Sequence, residues 1–243
     1  MIVVNYFSPH LHVGFPNFPK VSRYAWGRDY HTVLKAILKT LATELDGAAR
    51  QAGMSGAEFK IAVDTAPFRD KVWAQRAGLG WIGRNTNLIT REYGSWVFIG
   101  GLLTTLELEP TGTSHPDHCG ICSKCIEACP TSALMKPGRL NARDCISYLT
   151  IEHEGQIPHQ FEDSLDGWVF GCDICQDVCP WNRFAKPGKM PDFEPRPGLL
   201  VPDLNVWSHM SPDEYDQLTE GTSLRRAGRE HLRRNALAVM GLL

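Results

Sequence analysis

Cys119-Gly120-Ile121-Cys122-Ser123-Lys124-Cys125-Ile126-Glu127-Ala128-Cys129-Pro130 is the stretch whose reading decides what kind of protein this chain forms. The spacing Cys-x-x-Cys-x-x-Cys-x-x-x-Cys-Pro is that of bacterial ferredoxins, in which three thiolates grip one iron–sulfur cluster and the fourth reaches across to another. A second run, Cys172-x-x-Cys175-x-x-x-Cys179-Pro180, follows, with Cys145 alone between the two. These are all eight cysteines of the chain, enough for two 4Fe-4S clusters. Structural zinc usually takes two Cys-x-x-Cys pairs, not a three-cysteine run closed by Cys-Pro. A disulfide framework belongs to exported chains, and no signal peptide opens this one. Two redox clusters imply electron delivery to another group in the molecule.

Working outward toward the N-terminus, Ile2-Val3-Val4-Asn5-Tyr6-Phe7 reads as a buried strand, followed by an irregular loop bearing Gly14, Pro16 and Pro19. Asp29 can cap a helix in which Leu34, Ile37, Leu38, Leu41 and Leu45 fall at helical spacing. Phe59, Ile61 and Val63 alternate with polar or small neighbours and predict a strand ending at Asp64, and Pro67 opens a helix that stops at Gly78. A carboxylate at such a junction is either a cap for the first helical turn or an exposed functional group. Gly78-Leu79-Gly80-Trp81-Ile82-Gly83-Arg84-Asn85 lets the backbone pass close to something large, without the glycine spacing of a dinucleotide fingerprint. Residues 85–90 and 96–104 read as two strands joined by a turn at Glu92-Tyr93-Gly94-Ser95, with Gly100-Gly101 marking a bulge or a close ligand approach.

Downstream, the turn-rich 109–113 linker separates this part from the cysteines, giving units of 1–108, 109–185 and 186–243. Asn141 can cap a helix running to about Glu152, which brings Cys145, Ser147 and Tyr148 near its start. Proline and glycine between Lys186 and Asp203 predict a surface wrap, and Ser211-Pro212-Asp213-Glu214 has the form of a capping box. Arg225, Arg226, Arg229, Arg233 and Arg234 form the one concentrated positive stretch, either a solvated face or a phosphate-tracking surface. The remainder is ordinary: 43% hydrophobic, 21% charged, net charge −2, with no apolar run long enough to span a membrane. That balance excludes a strongly basic nucleic-acid binder, so any such contact must come from local clustering. A cytoplasmic monomer, with thiolates kept reduced, is expected.

Iron–sulfur clusters move single electrons and do not by themselves break a carbon–oxygen bond. A second redox group is therefore expected in the first unit, and with haem, dinucleotide and P-loop signatures absent, flavin and corrinoid remain.

Several motifs in one order then carry a family resemblance. They are the Ser22–His31 run, Val63-Asp64-Thr65-Ala66-Pro67, Arg76 to Thr86, Asp144-Cys145-Ile146-Ser147-Tyr148-Leu149-Thr150, and Phe170 to Asn182. Together they resemble epoxyqueuosine reductases over essentially the whole chain. The resemblance implies an α+β fold: a cobalamin-binding α/β domain with a reductive-dehalogenase- or nitroreductase-like core, a ferredoxin-like two-cluster domain, and a helical segment that could begin a HEAT-like, tRNA-gripping tail. It implies reductive removal of the epoxide oxygen of epoxyqueuosine at the tRNA wobble position, using cobalamin, two 4Fe-4S clusters and an external low-potential electron donor. Asp64 falls on the family's proton donor, and burial against the corrin would have to keep it protonated against the dipole of the helix expected at Pro67. The crossing rule and the family arrangement agree in giving Cys119, Cys122, Cys125 and Cys179 to one cluster and Cys129, Cys145, Cys172 and Cys175 to the other. Asp64, Asn85, Gly100 and Ser147 are the candidate cobalamin contacts, and the five arginines the candidate tRNA contacts. Relative to the family the chain reads as shortened at both ends. Two other readings share its features: a corrinoid enzyme of the reductive-dehalogenase kind acting on a small molecule, and a non-catalytic electron-transfer module.

Overall fold

The computed structural model describes every residue except 11, 13–18, 55, 111, 112, 136, 137 and 243. Most of the loop expected before Lys20 and the centre of the 109–113 linker thus lie outside the described residues. The architecture mixes helix and sheet.

The strand Val97–Thr104 organises the first part of the chain. It carries Ile2–Asn5 on one side and Phe59–Ala62 on the other, both antiparallel. The Ile2 strand, expected to be buried, is a half-buried edge of this sheet because it has one neighbour. Against the sheet lies the 22-residue helix Tyr30–Gln51, capped by Asp29, whose side chain accepts from the His31 N–H at 3.0 Å. Its apolar stripe buries Val33, Leu34 and Leu38 against Tyr6, Val63, Trp96 and Phe98. Each leucine so buried contributes about 2 kcal/mol. Gly100 and Gly101 form no bulge; they sit in register opposite Ile2 and Ala62. A Cβ at Gly100 would come within 3.0 Å of Leu38, so that glycine lets the helix settle onto the strand.

The glycine-rich run folds differently from its sequence reading. Trp81–Ile82 pairs with Leu88–Ile89, so the hairpin lies within the run and does not join 85–90 to 96–104. Gly80 is required there because a Cβ would collide with the Ile89 carbonyl. The helix expected from Pro67 begins at Asp70, since residues 64–68 bend and Asp64 itself adopts a left-handed φ of 44°. Likewise, Asn141 does not cap one long helix: a short 3₁₀ turn, Ala142–Asp144, precedes the helix Ile146–Ile151, whose N-cap is Cys145.

A second core joins distant parts of the chain. Lys20–Val21 pairs in parallel with Trp168–Phe170. Trp26, Phe170, Leu199, Trp207, Leu224 and Leu232 pack together around this pair. The wrap therefore returns to the body, with Phe193 against Phe98 at 4.8 Å between ring centroids. The capping box at Ser211 forms and starts the helix Pro212–Thr219. The C-terminal helix Gly228–Val239 is keyed in by Asn235, fully buried, which donates to the carbonyls of Thr150 at 2.7 Å and Val169 at 2.9 Å.

The first part of the chain is also locked to the second cysteine run. Asp173 is completely buried and accepts from Ser22 Oγ, from the Arg23 N–H at 2.9 Å and from Arg23 Nη1 at 3.0 Å. The same guanidinium reaches Asp177 at 2.8 Å and lies over the Trp96 ring at 4.9 Å. Removing one partner strands a buried charge. Arg23→Ala should lower unfolding stability by about 3 kcal/mol in equilibrium denaturation, whereas a loss under about 0.5 kcal/mol would show that the pair is dispensable.

Candidate functional site

A cavity of about 810 Å³ opens between the sheet and the cysteine-bearing segments, lined from both. Phe68, Val97, Ile99, Leu134, Leu140 and Ile146 supply apolar wall, and Cys129, Cys145, Cys172 and Cys175 border it. Cys119, Cys122, Cys125 and Cys179 do not line it; they lie within electrostatic reach of one another. The cavity-side four form a second such neighbourhood, in which Cys175 also feels Cys125. Burial pushes the Cys145 thiol up, while the Ser147 and Tyr148 N–H groups at the start of its helix favour the thiolate.

The residues around the first neighbourhood fit a sulfur-rich group. Trp81 Nε1 and His118 Nε2 are buried without a partner among the described residues, and the Trp81 indole lies beside Cys119. A cluster would offer the acceptors that such buried donors lack.

Of the sequence candidates, Asp64, Asn85 and Ser147 line the cavity. Asn85 is buried and its Nδ2 donates to the Cys175 carbonyl at 3.4 Å, so it ties the glycine-rich hairpin to the second cysteine run. Gly100 is not part of the lining, because it faces Leu34, Leu38 and Ile2 in the core. Among the arginines, Arg226 alone lines the cavity, paired with Glu152 at 2.5 and 3.1 Å. Arg225 pairs with Asp216, and Arg229 and Arg233 both pair with Glu230. Arg234 belongs to the core: its guanidinium donates to the Leu149, His153 and Gly155 carbonyls at 2.6–2.7 Å and cannot track phosphate.

Asp64 departs most from its expected state. Its side chain is 56% exposed at the cavity, and its Oδ2 lies 3.3 Å from His31 Nε2. That hydrogen bond holds the carboxyl below the usual carboxylate range and outweighs burial, with the Tyr30 hydroxyl adding to the effect. The helix whose dipole was expected to act on Asp64 starts at Asp70 and not at Pro67. His31 is held from the other end by Asp29 Oδ1, 2.8 Å from Nδ1, and is pushed up from its ordinary 6.5 to about 9. Tyr30 stacks on Phe98 at 4.4 Å and on His31 at 4.1 Å, fixing the ring. Nearby Asp70 lines the same cavity with a buried, unpartnered Oδ1, and burial followed by the charge of Asp64 pushes it up. Asp64 and Thr86, two of the four non-glycine residues with positive φ among those described, both line the cavity, where such strain marks functional sites.

Sequence reasoning named Asp29 only as a cap and gave His31, Tyr30 and Asp70 no role. The available signal was an Asp-Tyr-His run at a helix start, which returns the imidazole to its own cap.

A family model described as Epoxyqueuosine reductase QueG matches residues 1–65, and one described as 4Fe-4S double cluster binding domain matches residues 118–182. The epoxyqueuosine reductase of Synechocystis sp. is 46% identical over 237 residues, 97% of this chain and 80% of its own. A crystal structure of selenomethionine-labelled epoxyqueuosine reductase superposes with a TM-score of 0.90 at 33% identity, covering 99% of this chain and 63% of that one. Another, solved with an epoxyqueuosine-modified tRNA-Tyr stem loop, gives 0.82 at 33% identity over 95% of this chain and 63% of its own.

The protonation pattern has a measurable consequence. Because the folded pKa of His31 lies above its ordinary 6.5, at about 9, its stabilisation is fully present below 6.5 and is lost as pH rises through 9. The stability gap between wild type and His31→Gln should therefore be larger at pH 6 than at about pH 10; a gap independent of pH would contradict the charge pairing.

Proposed function

The chain belongs to the epoxyqueuosine reductase family, and on that premise we propose that it removes the epoxide oxygen of epoxyqueuosine at the tRNA wobble position, giving queuosine. The relative solved with an epoxyqueuosine-modified stem loop carries this reading. Supporting it is a cavity lined both by Asp64, which is paired with His31, and by four cysteines.

The apolar walls and the volume of the cavity suit a large flat redox group, and Asp64, Asn85 and Ser147 are the residues we assign to cobalamin contact. When bound, cobalamin supplies a cobalt centre of low potential, able to reduce the epoxide-bearing carbon. The protein's own part is to hold the substrate, exclude water and deliver protons to the departing oxygen from the Asp64 side. We assign Cys129, Cys145, Cys172 and Cys175 to the cluster at the cavity wall and Cys119, Cys122, Cys125 and Cys179 to the outer one. This arrangement lets an external low-potential donor reach the molecule away from the substrate. Arg226, at the cavity rim, and the surface residues Arg225, Arg229 and Arg233 are the candidate phosphate contacts; each must exchange an acidic partner for phosphate. Among the described residues no helix is long and apolar enough to cross a membrane; a monomer working on tRNA in the cytoplasm is part of the proposal.

Incubating cluster- and cobalamin-loaded protein with a strong reductant and epoxyqueuosine-containing tRNA, followed by nucleoside analysis, should yield queuosine; unchanged nucleoside would overturn the reading. Asp64→Asn should cut that conversion by about 100-fold or more with cofactor content unchanged, and near-normal turnover would remove its role as donor. Cys145→Ser should lose one cluster's iron and its spectral signature while the other persists, whereas retention of both would refute the partition.

A further inference from the structure

Asp29, His31 and Asp64 form a continuous line of hydrogen-bonding atoms from the start of the long helix to the cavity. Asp29 Oδ1 meets Nδ1 at 2.8 Å, and Nε2 meets Asp64 Oδ2 at 3.3 Å. The same Asp29 oxygen accepts from the His31 backbone N–H at 3.0 Å, so helix capping and ring orientation are one constraint. Tyr30, itself stacked on Phe98, covers a face of the ring. Nothing in helix capping requires the imidazole to bridge two carboxylates, one of them at the mouth of an 810 Å³ cavity and held at a left-handed φ.

Resting on the function proposed above, we propose that His31 is the proton reserve of the reaction, reloading Asp64 through Nε2 while Asp29 holds the ring in place. Deoxygenation of an epoxide to an alkene consumes two electrons and two protons: both C–O bonds break, a C=C bond forms and the oxygen leaves as water. The electrons come from the external low-potential one-electron donor. Each proton passes from Nε2 to Asp64 Oδ2 and from the carboxyl on to the departing oxygen, leaving Asp64 a carboxylate as before; the ring becomes neutral, keeps Nδ1–H on Asp29, and is recharged from solvent. Asp64 thus acts as a conduit and need not store the proton, which removes the difficulty that its own pKa is lowered. A proton-holding imidazole beside a depressed carboxylate is the separation of pKa values that acid–base sites use.

The groups facing the ring set where it titrates. Asp29 and Asp64 raise it and burial lowers it; Lys35 acts on Asp29, and Tyr30, Arg226 and Asp70 act through Asp64. Glu152, paired with Arg226, screens that arginine.

The test is the pH profile of single-turnover queuosine formation in holoenzyme with epoxyqueuosine-containing tRNA, accompanied by NMR titration of ring-labelled histidines. Wild type should keep its rate up to an alkaline limb near pH 9, where His31 discharges. In His31→Gln that limb should fall below about pH 6, toward the carboxylate range, with a rate loss of about 100-fold at pH 8. Asp29→Asn, which still offers an oxygen to cap the helix, should move the limb part of the way, and the NMR midpoint of His31 should drop in parallel in that variant and in Asp64→Asn. A purely structural role would lower activity at every pH and leave the limb in place; that result in a working enzyme overturns the relay alone. An inactive wild type would instead overturn the functional reading.

Discussion

The buried contact between Arg23 and Asp173 is the constraint on which the rest of the structure depends. Asp173 lies between Cys172 and Cys175, and its carboxylate is satisfied entirely by the Ser22–Arg23 corner and His12. A charge with no exposure must be paired, so the second cysteine run has one place to dock on the first part of the chain. The parallel pairing of Lys20–Val21 with Trp168–Phe170 repeats this connection in backbone hydrogen bonds. Position of the cysteines relative to the sheet, and hence the cavity between them, follows from these contacts. The pair acts mainly on geometry, since buried ion pairs are weak sources of net stability.

Across that cavity the structure separates two kinds of chemistry. One wall carries four cysteines whose thiols are half-buried and whose neighbours include helix-start N–H groups. The same cavity is lined by Asp64, whose imidazole partner is itself anchored in a helix cap. Electrons and protons can thus approach one substrate through separate sets of residues. Arg226 and Glu152 complete the rim with a charged pair exposed enough to exchange partners. The arginine stripe is therefore not uniform: Arg226 lines the site, Arg225 is exposed, Arg229 and Arg233 are half-buried against Glu230, and Arg234 pins the last helix by satisfying three carbonyls.

Much of this was legible in the sequence where local rules decide the outcome. The Asp29 cap, the helix after it, the Ser211 capping box and the cysteine spacing all depend on near neighbours. The misreadings arose where distant segments decide. The glycine-rich run pairs with residues just after itself because Trp81 is drawn into a buried cluster with His118 and Trp181. Gly100 looked like ligand clearance but makes room for Leu38, a residue more than sixty positions away. Arg234 reads as surface charge until the carbonyl groups of residues 149–155 are seen around it. His31 was the hardest to assign, because its partner is a carboxylate in a distant bend, Asp64, whose backbone adopts a left-handed φ.

Cys129, Cys145, Cys172 and Cys175 border the cavity, and the other four cysteines stand outside its lining. Electron paramagnetic resonance of cobalamin-loaded, reduced protein tests it directly, through magnetic coupling between cobalt and the nearer cluster. A coupled cobalt signal should survive in Cys119→Ser and disappear in Cys145→Ser. Coupling lost in Cys119→Ser and kept in Cys145→Ser would contradict it.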